Sequence, residues 1–99
     1  MKRTVRVLRR PQRDVQDIYD YVAREAPLRA DTYVEALLDV IASLSTMAER
    51  GATPRDPILQ ERGYRFLVHR EYLVFYKVKR RQVWVYRVVR GSRAYRGLL

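Results

Sequence analysis

Over residues 63–91 the chain reads GYRFLVHREYLVFYKVKRRQVWVYRVVRG, bulky apolar side chains alternating with arginine and lysine. A period of two is the signature of β-strands. It predicts three, at 63–69, 72–79 and 82–89, joined by two-residue turns at Arg70-Glu71 and Arg80-Arg81. Neither turn carries Asn-Gly chemistry, so the register rests on the alternation alone. Near the N-terminus, Val5 and Val7 flank Arg6 in a further short strand over 3–8. The period then lengthens. Val15, Ile18, Tyr19 and Val22 follow i, i+3, i+4, i+7, which gives a helix one apolar face. Pro11 suits its first turn, where a missing N–H is not needed, and Pro27 breaks it. A second helix is predicted from near Leu28 through Ala30, Val34, Leu37, Ile41, Leu44 and Ala48, with Gly51 ending it in the C′ position. So short a link makes the two an antiparallel hairpin. GATPRDP, 51–57, reads as a loop.

The resulting order is β-α-α-β-β-β. It is an α+β fold, with a helical hairpin on one face of a mainly antiparallel four-stranded sheet, in a single domain over 1–99. Taking the turns literally, one sheet face collects Leu67, Tyr72, Val74, Tyr76, Val78, Val83, Val85 and Val89, with Arg65, His69 and Arg87 among them. The other collects Tyr64, Phe66, Val68, Leu73, Phe75, Trp84, Tyr86 and Val88, with Lys77 and Lys79. Two helices cover only one face, and here both are apolar. The surplus predicts a partner on the second face, because large open apolar patches mark binding sites.

Charge sharpens that expectation. The net charge is +10, unevenly spread. Residues 1–13 carry six basic and no acidic side chains, 14–59 four basic and nine acidic, and 60–99 eleven basic and two acidic. A basic sheet and tail beside an acidic middle attract a polyanion or an acidic protein. At 99 residues and 47% hydrophobic, the chain is globular and holds one core. It has no cysteine and no apolar run near the ~20 residues of a membrane span, which predicts a cytoplasmic protein with no membrane contact.

Chemistry is sparse. His69 is the only histidine, so no metal set forms, and no cofactor is predicted. Ser43, Ser45 and Ser92 lack a nucleophile elbow, and there is no phosphate-cradling glycine loop. Asp14, Asp17 and Asp20 recur at i, i+3, i+6 on the first helix, either as a solvated face or as partners for arginines of the sheet. The aromatic–arginine sheet itself fits three readings: a core, an RNA-stacking platform, or a seat for a partner helix.

The segments RRPQRDVQDIYDYVAREAPLRADTYVEALLDVIASL, YRFLVHREYLVFYKV and RVVRGSRAY, in this order, resemble the RelE/ParE superfamily of toxins from type II toxin–antitoxin modules. The resemblance covers nearly the whole chain. It implies a toxin neutralised by a cognate ParD-like antitoxin in a hetero-oligomeric complex, with operator DNA reached only through the antitoxin. RelE-like members cut mRNA on the ribosome, and that alternative assigns Arg65, Arg87 and Tyr95 to catalysis. Two departures favour the ParE branch, whose activity is inhibition of DNA gyrase. Leu73 stands where RelE-like chains often have an arginine, and Arg90 where a histidine is common. Arginine stays protonated and makes a poor general acid or base. The reading is therefore an enzyme inhibitor without catalytic residues, a non-catalytic RNA-binding module being the remaining alternative. The antitoxin is expected on Phe66, Leu73, Phe75, Lys77, Lys79, Trp84 and Tyr86. The target is expected on Arg87, Arg90, Arg93, Tyr95 and Arg96.

Overall fold

A computed structural model of the chain describes residues 2–91 and 96–99. The order is β1 (Thr4–Val7), α1 (Arg9–Glu25), α2 (Ala30–Ala42), α3 (Pro57–Glu61), β2 (Tyr64–His69), β3 (Tyr72–Val78) and β4 (Gln82–Arg90). The four strands form one sheet in the order β1-β4-β3-β2. β1 runs parallel to β4, and the two hairpin pairings are antiparallel. The α+β class and the helical hairpin on one sheet face are as the pattern predicts. Both two-residue turns are also in place, since His69 pairs with Tyr72 and the Lys79 N–H reaches the Gln82 carbonyl at 2.7 Å.

The helices bury the predicted stripe against the sheet. Ile18, Leu37, Ile41 and Leu44 meet Tyr72, Val74, Tyr76, Val83 and Val85 in the main core. Leu37, Val74 and Val85 are fully buried, each contributing about 1.5–3 kcal/mol by leaving water.

Four expectations need correction. The second helix does not run on to Gly51. α2 stops at Ala42, and a 3-10 turn, Ser43–Ser45, follows. Ser43 Oγ donates back to the Val40 carbonyl at 2.6 Å, the competition with backbone bonding that makes serine a poor helix interior. Leu44 and Ala48 still reach the core, but from turns. Gly51 is accordingly not a helix cap. It is buried where its N–H donates to Tyr76 Oη at 3.0 Å, and an added Cβ would lie 2.2 Å from that oxygen.

The third correction is α3, overlooked beside a loop. Asp56 caps it, Oδ1 accepting from the N–H groups of Ile58 (2.9 Å) and Leu59 (3.3 Å), and Pro57 fills the first turn. The fourth is register. The β3–β4 pairing shifts at Phe75/Tyr76, so that Phe75 faces Arg87 while Tyr76 faces Val85, and Tyr86 is the extra residue. That bulge exchanges two valines. Val88 joins the main core beneath the helices, and Val89 joins the cluster on the other face.

β4 has nine residues and its neighbour β1 only four. Beyond Val85 the outer edge of β4 has no strand partner. There α1 supplies one: Asp14 Oδ2 accepts the Val88 N–H at 2.9 Å. A carboxylate completes the ladder where the first strand runs out.

Candidate functional site

The face of the sheet away from the helical hairpin divides into two halves. Over the first, Leu59 of α3 packs with Tyr64, Leu73, Phe75 and Val89, and Leu98 and Leu99 lie against the same cluster. Phe75 is wholly buried and Leu73 is 9% exposed. The tail is held there from two sides. Arg87 Nη1 donates to the Leu98 carbonyl at 2.8 Å, and the Arg96 guanidinium pairs with Asp56, whose other oxygen caps α3. Arg96 is the first cause of an Asp56 carboxyl held below the usual carboxylate range, with the cap N–H groups adding to it.

The second half is open. Trp84 is half-buried between cations, with the Lys79 Nζ 5.3 Å and the Arg6 guanidinium 5.6 Å from its ring centre. Its indole N–H donates to Gln82 Oε1 at 2.7 Å, which fixes the ring. Lys77 lies over two more rings, Tyr64 at 4.5 Å and Tyr86 at 4.9 Å. Burial pulls the Lys77 amine below its ordinary value, and Lys79 and Arg62 push the same way. The result is a shelf of aromatic rings with positive charge laid over them. Such a surface offers apolar area and charge together, and holds both without a long flexible reach.

Of the seven residues expected to meet the antitoxin, Lys77, Lys79, Trp84 and Tyr86 come together on this shelf, and Phe66, half-buried, packs against the Leu59 cluster with its ring centre 5.7 Å from that of Phe75. Leu73 and Phe75 lie beneath α3 and the tail instead. α3 and Leu98 and Leu99 close what the pattern left open. Sequence reasoning also missed Arg6, which reaches the shelf because β1 pairs with β4 in the register Arg6↔Trp84. No local signal in the chain names the neighbour of its first strand.

The residues expected to meet the target are dispersed. Arg87 is buried and forms a two-point ion pair with Asp14, Nε to Oδ2 at 2.8 Å and Nη2 to Oδ1 at 3.0 Å. Arg10 adds a second cation at 3.0 Å from Asp14. So the first of the three helical aspartates pairs with a sheet arginine, while Asp17 and Asp20 are exposed. Arg90 is exposed and lies between the rings of Tyr21 (5.4 Å) and Tyr72 (5.6 Å), on the wall of a cavity of about 250 Å3 that Arg10 and Asp17 also line. Arg96 is exposed but paired. Arg93 and Tyr95 lie outside the described residues. Arg65, on the other side of the sheet, donates to the carbonyls of Glu49 (3.1 Å) and Gly51 (3.0 Å).

His69 is half-buried, and burial first, then Arg70, lowers its pKa. Among the described residues no group of three His, Cys, Asp or Glu side chains is placed to hold a metal ion. Among them, too, no helix is long and apolar enough to cross a membrane.

Comparison with known proteins adds two findings. The family described as "ParE toxin of type II toxin-antitoxin system, parDE" matches residues 5–95. Among solved structures, a chain of the "Chromosomal ParDE TA system from P. aeruginosa" superposes with a TM-score of 0.75 at 22% identity, over 90% of this chain and 96% of that one. At that identity the likeness is one of fold. No curated protein matches the chain.

Proposed function

The chain belongs to the ParE family, the toxins of type II parDE toxin–antitoxin systems, and from that premise we propose that it binds and inhibits DNA gyrase in the cytoplasm. The observation that favours inhibition over mRNA cleavage is the state of two arginines. A guanidinium that stabilises a phosphoryl transition state must face the reacting group. Arg65 faces the carbonyls of Glu49 and Gly51, and Arg87 faces Asp14 and the Leu98 carbonyl. Both are committed to the chain's own groups. Arg90 is left to meet a partner, alongside Arg93 and Tyr95 on the basic tail, whose charge suits an acidic protein or nucleoprotein surface, whereas Arg96 is already paired with Asp56.

An antitoxin of the ParD kind neutralises the toxin by direct contact in this reading. Its acidic, amphipathic segment lies on Trp84, Tyr86, Phe66, Lys77 and Lys79, while Leu73 and Phe75 are covered by α3 and the tail. Apolar area gives the affinity and the cations steer the approach. Operator DNA is reached only through the antitoxin. One preparation of purified toxin tests the target, divided between a gyrase supercoiling assay and a ribosome-dependent mRNA cleavage assay. Supercoiling is expected to fall in proportion to toxin added, with mRNA intact, and Arg90→Glu to relieve the inhibition. Codon-specific cuts with normal supercoiling would reverse the assignment.

A further inference from the structure

We propose that the basic end of the sheet, where the chain's first residues meet the β3–β4 turn, grips the phosphate backbone of duplex DNA. Six cations converge there: Lys2, Arg3 and Arg6 from β1 and the residues leading into it, and Lys79, Arg80 and Arg81 from the turn. Backbone geometry brings the two groups together. The Thr4 N–H donates to the Arg81 carbonyl at 3.0 Å, and the Arg3 Nε donates to the Lys79 carbonyl at 3.0 Å. The Arg3 N–H is tied in turn to the Ser45 carbonyl at 2.7 Å. The cations are therefore carried by a fixed frame and not by a loose tail. Lys2, Arg6, Lys79, Arg80 and Arg81 are exposed.

Little in the chain neutralises them. Residues 1–13 and 77–90 contain no acidic side chain. Among the described residues, the one carboxylate that reaches the group is Glu49, 4.0 Å from Arg3 and itself largely exposed. The other five cations have no carboxylate partner among those residues. Like charge held this close is unfavourable unless an anion covers it. The crowding is felt at Lys77, whose amine is pulled down by burial first and by Lys79 and Arg62 after it. The opposite end of β3 is built differently, since the turn there is Arg70-Glu71, one charge of each sign.

Charge density and the cover over the rings select the occupant. A DNA duplex carries one negative charge per roughly 1.7 Å of its axis, a density that suits cations set side by side. A single strand binds by stacking its bases on aromatic rings. Here Arg6 and Lys79 already lie against Trp84, and Lys77 against Tyr64 and Tyr86, so any base must compete with them. What this end turns outward is charge, which meets phosphates and not bases. That the duplex is DNA rather than RNA rests on the gyrase reading, since duplex DNA is that enzyme's substrate. Phosphate contacts position a protein without reading sequence, so the grip gives the toxin no operator of its own.

The test is the fluorescence anisotropy of a short labelled DNA duplex titrated with the full chain, with no gyrase present. A protein neutralising about four phosphates should lose roughly a hundredfold in affinity when salt is raised about fourfold. Arg80→Glu with Arg81→Glu should weaken binding at least about tenfold and flatten the salt dependence. Arg29→Glu with Arg70→Glu makes the same change in net charge at the opposite end of β3. It should cost no more than about twofold, because salt screens charges that far away. On the native isotope-labelled protein, amide shifts caused by the duplex should centre on 3–6 and 79–82, a readout that needs no variant to fold. The proposal is overturned if the duplex does not bind, or if the two double variants weaken it equally, which would make binding a property of the +10 charge at large. It is equally overturned if polyglutamate or single-stranded RNA binds this end as tightly as the duplex. Because gyrase is absent, duplex binding confined to this end upholds the proposal even where supercoiling is unaffected, a result that counts only against the gyrase reading.

Discussion

The two faces of the sheet are closed by different means. Beneath the hairpin, long helices with continuous apolar stripes seal Val74, Tyr76, Val83 and Val85 from water. On the opposite face a five-residue helix and residues 96–99 cover only one half, held by a helix-capping aspartate and two arginine contacts. The other half keeps its rings in view and lays Arg6, Lys77 and Lys79 across them. Alternation along a strand makes both faces apolar, but it does not say which will be covered by the chain itself. The helix-covered face is a core, and the opposite face is half a core and half a surface of rings overlaid by cations.

The Asp14–Arg87 pair joins the two faces, since the arginine also holds the tail, and breaking it should have the largest effect. Asp14→Ala leaves the Arg87 guanidinium buried without its partner and the Val88 N–H unpaired. Such a loss costs about 3–5 kcal/mol, read as a lowered urea midpoint. Asp14→Leu with Arg87→Met should recover much of it, because no charge is then stranded. A loss under about 1 kcal/mol for Asp14→Ala would mean that the pair is wet and the faces are not coupled through it.

Gly51→Ala probes the helix-covered side alone. Its new Cβ would lie 2.2 Å from Tyr76 Oη and 2.8 Å from the Phe66 carbonyl, and overpacking of this kind costs about 1–3 kcal/mol. Tyr76→Phe removes the nearest atom, so the double variant should be less destabilised than the sum of the two. Strict additivity would show that the close approach at Gly51 is relieved elsewhere.

Acid should loosen the second face first, with a smaller effect. The Asp56 carboxyl is depressed in the folded chain, chiefly by Arg96. A depressed acid contributes stability that is present above its ordinary value near 4 and is lost as pH falls through the folded value. Exchange of the amides in 57–61 should therefore speed up in acid before that of β3 or β4, and Asp56→Asn should remove the pH dependence. His69 works in the same direction at higher pH: lowered by burial, it contributes stability present above about 6.5 and lost below. Simultaneous loosening of α3 and the central strands would contradict a separately held second face.

The fold was legible because its long elements carry strong periods. Val15, Ile18 and Val22 announce α1, and the alternation of 72–78 announces β3. Three features depend on information that period does not carry. The Asp56-Pro57 start of α3 is a helix-start signal within the chain, but five residues give no stripe to confirm it. The bulge at Phe75/Tyr76 is an irregularity of pairing, and it alone decides that Val88 faces the hairpin and Val89 the other side. Arg6 joins Trp84 only through the parallel pairing of β1 with β4, a contact between distant parts of the chain. The shelf residues Lys77, Lys79, Trp84 and Tyr86 were readable from parity and charge, whereas the burial of Leu73 and Phe75 required knowing where the tail goes.

If the open half of the second face is the antitoxin's seat, its centre is Trp84. The deciding measurement is the calorimetric affinity of the cognate antitoxin for wild-type toxin and for Trp84→Ala, with thermal unfolding of each as a control. A buried tryptophan anchor is worth at least about 2 kcal/mol at an interface, so affinity should fall roughly thirtyfold or more while the unfolding temperature changes little. Unchanged affinity in a folded Trp84→Ala protein would place the antitoxin elsewhere and contradict the division of the sheet into a self-covered half and a partner-covered half.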